Sequence, residues 1–135
     1  YARSAYAQMS ALAAAKSAFD ASDLKTAKAR LQWVVEHGSD EYQSVARLRL
    51  AGVLLDEKAY DEALKALGGD VLPQFAAAVA DRKGDVLVAQ NKVAEARSAY
   101  QAALDAMAKN DPARQLVQLK LEAIGGTVAT PKAAA

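Results

Sequence analysis

The sequence contains no cysteine and only one histidine, His37. Disulfides, thiolate nucleophiles and thiolate metal sites are therefore excluded together. A multi-histidine metal site or a histidine-centred triad also has too few residues to be built. Because His37 directly precedes Gly38, it is expected to play a structural role at a helix end. No glycine pattern of a phosphate-binding loop occurs either. We predict a protein that is not an enzyme and has no cofactor and no metal.

The sequence also lacks an excess of charge of one sign, and it lacks long hydrophobic runs. The 17 basic and 16 acidic residues are interspersed and give a net charge of +1, which is no electrostatic footprint for a nucleic acid. No apolar run approaches the ~20 residues that cross a bilayer. Since the sequence opens at Tyr1, we expect a fragment of a longer protein, whose membrane anchor, if it has one, is absent here.

What the sequence does contain is helix-forming residues: 53% of the chain is hydrophobic and only 6% is aromatic. Apolar residues recur at helical spacing in seven segments that are bounded by capping residues, glycine or proline. We expect Ser22 or Asp23 to cap the second helix. Pro73 is predicted in the first turn of the fifth helix, and Asp111-Pro112 opens the seventh.

A short pattern recurs in the second helix of each predicted pair. It reads apolar, x, x, Ala, x, x, x, apolar in residues 24–31, 60–67 and 93–100. Ala27 and Ala63 are 36 positions apart, and Ala63 and Ala96 are 33 apart. These spacings bracket the period of about 34 residues that is typical of tetratricopeptide repeats (TPR).

Small residues also stand twelve positions before each of these alanines, where a partner helix would approach closely. This pattern predicts an all-α, TPR-like α-solenoid of about three helix hairpins with a C-terminal capping helix over residues 1–126, and a flexible tail over 127–135. An ordinary alanine-rich helical bundle is the alternative. The predicted repeat-packing residues are Ala15, Ala27, Ala51, Ala63, Gly84, Ala96, Tyr100 and Ala103.

By TPR geometry, the first helix of each pair should line a concave face that holds a partner protein. Asp81 and Asp85 could instead ligate a hard cation, but solvated charge is the simpler interpretation. A regulator that binds a short peptide or small ligand in a closed pocket is a second hypothesis. The predicted protein-binding residues are Met9, Leu12, Lys16, Val45, Leu48, Asp81 and Asp85.

Three blocks, residues 48–51, 75–85 and 95–100, resemble in order and spacing the periplasmic TPR-like domain of YfgM-type proteins, ancillary subunits of the bacterial SecYEG translocon. The resemblance covers nearly the whole chain. It implies a single-pass inner-membrane protein whose domain faces the periplasm. It further implies association with the translocon, with the membrane-anchored chaperone PpiD and with exported polypeptides. The family offers no catalytic residues.

Overall fold

The computed structural model describes residues 4–125. Within that range the chain is all-α, as predicted, and no strand occurs among the described residues. The tail predicted over 127–135 lies outside the described residues. The chain divides into two compact units at Phe75, which we call unit 1 (to residue 75) and unit 2 (from residue 76). The helices are α1 (Ala5–Asp20), α2 (Leu24–His37), α3 (Asp40–Asp56), α4 (Tyr60–Leu67), α5 (Ala76–Ala89), α6 (Val93–Ala106) and α7 (Arg114–Ala123), with a 3-10 turn at Pro73–Phe75.

The same tight turn joins the helices of all three hairpins, α1–α2, α3–α4 and α5–α6. Each turn contains one residue in the left-handed region: Ser22 (φ 64°), Lys58 (φ 63°) or Asn91 (φ 62°). The amide of the following residue donates to the carbonyl oxygen five positions earlier, over 2.7 to 2.8 Å, which satisfies carbonyls left free at a helix end. These turns are spaced like the alanines, so the backbone repeats along with the sequence.

The core of unit 1 lies where α1 and α3 pack on α2 and where α4 packs on α3. Ala27 and Val34 on α2 are fully buried. On α3, Leu50, Val53 and Leu54 are buried on several sides of the helix, as expected for a helix between two others. The four predicted repeat-packing residues of this unit, Ala15, Ala27, Ala51 and Ala63, are all buried.

Two buried polar side chains connect elements of unit 1 that are distant in sequence. Gln8 on α1 is 1% exposed, and its Oε1 accepts from the Ser39 amide at 2.9 Å and from the Ser39 hydroxyl at 3.1 Å. Ser44 on α3 is fully buried; its hydroxyl donates to the Asp40 carbonyl and accepts from the Leu72 amide, each at 3.0 Å. Because buried polar groups are costly when unpaired, these bonds fix the start of α3 to α1 and the segment after α4 to α3.

Unit 2 is built on the α5–α6 hairpin, against which α7 packs. The ring of Tyr100 on α6 lies directly over Gly84 on α5, so that a Cβ added to Gly84 would come within 2.6 Å of Tyr100 Cδ1. Helix α7 buries Val117 and Leu121 in a cluster with Tyr100, Ala103 and Leu104. The repeat-packing residues of this unit, Gly84, Ala96, Tyr100 and Ala103, are also buried.

The second helix is capped by one of the two residues predicted for it. Asp23 caps α2, since its side chain accepts from the Thr26 amide at 3.2 Å, whereas Ser22 forms the left-handed turn. This hydrogen bonding lowers the pKa of Asp23. At the end of α4, where a glycine could close the helix in the left-handed conformation, Gly68 instead has φ −81°.

The predicted starts of the fifth and seventh helices are also displaced. Pro73 begins a 3-10 turn, and α5 starts at Ala76. Helix α7 starts at Arg114 and not at Pro112, because the Asp111 side chain accepts from the Ala113 amide at 2.9 Å and holds a turn there. In both segments the proline lies in a turn that directly precedes the α-helix, and not in the first turn of the helix.

Gly84→Ala tests the contact with Tyr100. The added methyl group would clash with the buried ring, and overpacking of this kind costs about 1–3 kcal/mol, which exceeds the gain of about 1 kcal/mol in helix propensity. We expect a lower free energy of unfolding in urea, measured by circular dichroism. Gly68→Ala is the control, because a Cβ there has its nearest neighbour at 3.5 Å; an equal loss in both variants would contradict the assignment.

Candidate protein-interaction faces

Met9, Leu12 and Lys16 lie on neighbouring sides of α1, but they differ in exposure. Met9 is 57% exposed, Lys16 is exposed and Leu12, at 9%, belongs to the core. Positions 9 and 16 point almost the same way because seven residues make nearly two helical turns, while position 12 is rotated by about 60°. Solvent therefore reaches Met9 and Lys16 on this helix.

Val45 and Leu48 are one turn apart on α3, and both are half-buried. Helix α3 packs on α2 and also contacts α1. Since α1 and α3 are the first helices of their hairpins, unit 1 does bring the two first helices into contact. We call Met9, Lys16, Val45 and Leu48, the predicted binding residues of unit 1 that are not in its core, the unit 1 face.

Tyr6 is an exposed residue that the sequence argument did not include in the binding set. Its side chain is 81% exposed and lies one turn before Met9 on α1. In the sequence, Tyr6 fits the apolar helical spacing of α1. A single sequence does not show whether such an apolar position faces the core or the solvent. Single exposed apolar residues are ordinary, but an adjacent aromatic and methionine form a small patch suited to protein contact.

The basic member of the unit 1 face is only loosely held. Lys16 Nζ lies 3.5 Å from Asp20 Oδ2, and the two side chains are 73% and 61% exposed. Exposed pairs of this kind contribute about 0.2–1 kcal/mol and are screened by salt. Lys16 is therefore free to exchange Asp20 for an acidic group of a partner.

Asp81 and Asp85 on α5 are brought together with Lys120 of α7 in unit 2. Lys120 Nζ lies 3.1 Å from Asp81 Oδ1 and 3.1 Å from Asp85 Oδ1. Arg82 adds a weaker contact, with Nη1 at 3.6 Å from Asp85 Oδ2. The interpretation of these carboxylates as simply solvated is therefore incomplete, because a lysine distant in sequence bridges them.

Tyr100 completes this polar cluster from α6. Its hydroxyl donates to Asp85 Oδ1 at 2.6 Å, and Lys120 Nζ lies 5.8 Å from the centre of its ring. Burial, and then the hydrogen bond to Asp85, raise the pKa of Tyr100 far above its ordinary value. We call Asp81, Asp85, Tyr100 and Lys120 the polar cluster; it joins three helices through charge-assisted bonds.

His37 has the local structural role expected of it. Its Nδ1 lies 3.0 Å from the Trp33 carbonyl oxygen, and its ring stacks on Trp33 with centroids 5.1 Å apart. Among residues 4–125, no group of three or more His, Cys, Asp or Glu side chains is arranged to hold a metal ion. None of the helices described in that range has the length and apolar character needed to span a membrane.

Comparison with known proteins is consistent with these features. The family model of a tetratricopeptide repeat-like domain matches residues 1–126. A protein of Neisseria gonorrhoeae named ancillary SecYEG translocon subunit is 39% identical over 125 residues, which are 92% of this chain and 60% of the relative. A protein of Escherichia coli K12 with the same name is 36% identical over 101 residues, 74% of this chain and 49% of the relative.

The chain thus spans 60% or less of the length of these relatives. No solved structure gives a significant match. The predicted TPR-like fold class and the resemblance to YfgM-type subunits are both confirmed, and the TPR-like match decides against an ordinary bundle.

Tyr100→Phe tests the polar cluster. Removing the hydroxyl leaves Asp85 with one fewer hydrogen bond and is expected to cost about 1–2 kcal/mol of unfolding free energy. Because the folded-state pKa of Tyr100 is raised, its contribution is complete below pH about 10 and is lost as the pH rises further. The difference in Tm between wild type and variant should therefore shrink above that pH. A constant difference from pH 7 to 11 would contradict this role; Tyr60→Phe in unit 1 is the control.

Proposed function

Because the chain belongs to the tetratricopeptide repeat-like domain family, we propose that it is a non-catalytic scaffold, the protein-binding part of an ancillary subunit of the SecYEG translocon. The observation that carries the proposal is the 39% identity to the Neisseria relative across 92% of the chain. At that identity the two chains share their fold, and the association with the translocon comes from the name of the relative, an ancillary SecYEG translocon subunit.

The unit 1 face is the surface that we assign to partner binding. It combines an exposed thioether at Met9, the half-buried apolar Val45 and Leu48, and a loosely paired ammonium at Lys16. An apolar centre with a charged rim is the usual anatomy of a protein interface, and methionine adapts to partners of different shape. Asp81 and Asp85 already interact with Lys120 and Tyr100. We therefore assign partner binding to unit 1 and not to these two carboxylates.

The location and the partners of the domain are proposed from the same family resemblance. We propose that the domain lies on the periplasmic side of the inner membrane, held there by an anchor in the longer protein. Its partners there are the translocon, a PpiD-like chaperone and exported polypeptides. An adaptable, weakly polar face suits transient contact with chains of varied sequence, which is what an aid to newly exported proteins requires.

Met9→Asp tests the assignment in the full-length, membrane-anchored protein. A carboxylate in the apolar centre should reduce recovery of translocon and chaperone subunits in affinity purification about tenfold, the loss expected for a central contact residue. Leu116→Asp is the matched control, because Leu116 is also 57% exposed but lies on α7 in unit 2. Unchanged recovery with Met9→Asp, or loss only with Leu116→Asp, would contradict the unit 1 face. Failure of the wild type to recover any translocon subunit would contradict the proposed function.

A further inference from the structure

Helix α7 is attached to unit 2 by few buried side chains. Of its ten residues only Val117 and Leu121 are buried, while Leu116 and Leu119 are 57% and 56% exposed. Helix α6, with fourteen residues, buries five. Since local stability follows buried apolar contact, α7 is less protected than α6.

Polar bonds supply much of the remaining attachment. Arg114 Nη1 donates to the Leu104 carbonyl at the start of α7, and Arg97 Nη1 donates to the Ile124 carbonyl at its end, each over 2.8 Å. Between them, Lys120 reaches the two carboxylates of α5. Lys120 is the only α7 side chain within the described residues that forms an ion pair with α5.

We propose that α7 is a lid on the α5–α6 hairpin and that Lys120 is the latch that holds it closed. Opening would uncover the apolar cluster of Tyr100, Ala103 and Leu104, which α7 covers through Val117 and Leu121. The latch is partly open to solvent, with side chains 20% to 27% exposed, so salt should weaken it. This inference is independent of the proposed function.

The low protection of α7 and the position of the two ion pairs of Lys120 suit such a device. Ordering ten residues costs conformational entropy in every residue, and two buried aliphatic side chains offset only part of that cost. The balance therefore depends on a few polar bonds. A change at Lys120 should therefore favour the undocking of α7. The α5–α6 hairpin should stay closed, because the buried contact of Tyr100 with Gly84 does not involve α7.

Hydrogen exchange of the wild type and of Lys120→Met tests the latch. Methionine keeps the apolar stem and removes the charge. We expect wild-type α7 amides to exchange faster than those of α6, and Lys120→Met to accelerate α7 by a further factor of about ten while α6 is unaffected. Raising NaCl from about 0.05 to 0.5 M should accelerate α7 in the wild type but not in the variant. Lys83→Met, at an exposed lysine of α5, is the control and should behave like wild type.

A thiol probe gives an independent measurement, because the chain has no cysteine of its own. Val117 on α7 and Val86 on α5 are 1% and 0% exposed, and valine to cysteine changes side-chain volume little. We expect the thiol of Val117→Cys to react with a thiol reagent about tenfold faster than that of Val86→Cys, and Lys120→Met to widen this ratio. Equal exchange in α6 and α7, equal labelling at the two sites, or a salt effect that persists in Lys120→Met would each overturn the proposal.

Discussion

The close approach of two helices at a small side chain, seen where Tyr100 lies over Gly84, is the contact on which we expect every hairpin of this protein to depend. Ala15, Ala51 and Gly84 stand sixteen positions before Leu31, Leu67 and Tyr100, and all six residues are buried. A larger residue at the small position would force the helices apart, because interiors are packed too densely to absorb extra atoms. The repeated turn, with its left-handed residue at a fixed place, gives the small and large positions the same spacing about each turn.

The third hairpin uses this contact differently, and the polar cluster follows from the difference. Gly84 and Tyr100 replace the alanine and leucine of the earlier hairpins. With no Cβ at Gly84, the aromatic ring approaches α5 closely, and its hydroxyl reaches Asp85 at 2.6 Å. Asp85 and Asp81 together hold Lys120. One missing methyl group thus connects the packing of α5 and α6 to the attachment of α7.

Short-range sequence patterns predicted the helices and the repeat because both are encoded locally. The recurring alanines, and Gly38 directly after His37 at the end of α2, needed no tertiary information. The partner of Asp81 could not be predicted the same way, since Lys120 is 39 residues away and its pairing depends on how α7 docks. The sequence also could not show which apolar side chains face solvent. Leu116 and Val117 are adjacent and both apolar, yet only Val117 is buried. The assignment of partner binding to the unit 1 face stays a prediction.

The most direct measurement of the small-large contact is a double-mutant cycle on Gly84→Ala and Tyr100→Leu, which together restore the pair found in the other two hairpins. If the contact is the constraint described above, Tyr100→Leu should remove most of the cost of Gly84→Ala, with a coupling free energy of about 1–3 kcal/mol in urea unfolding. Additive losses, with the double variant as unstable as the sum of the two single variants, would contradict the account.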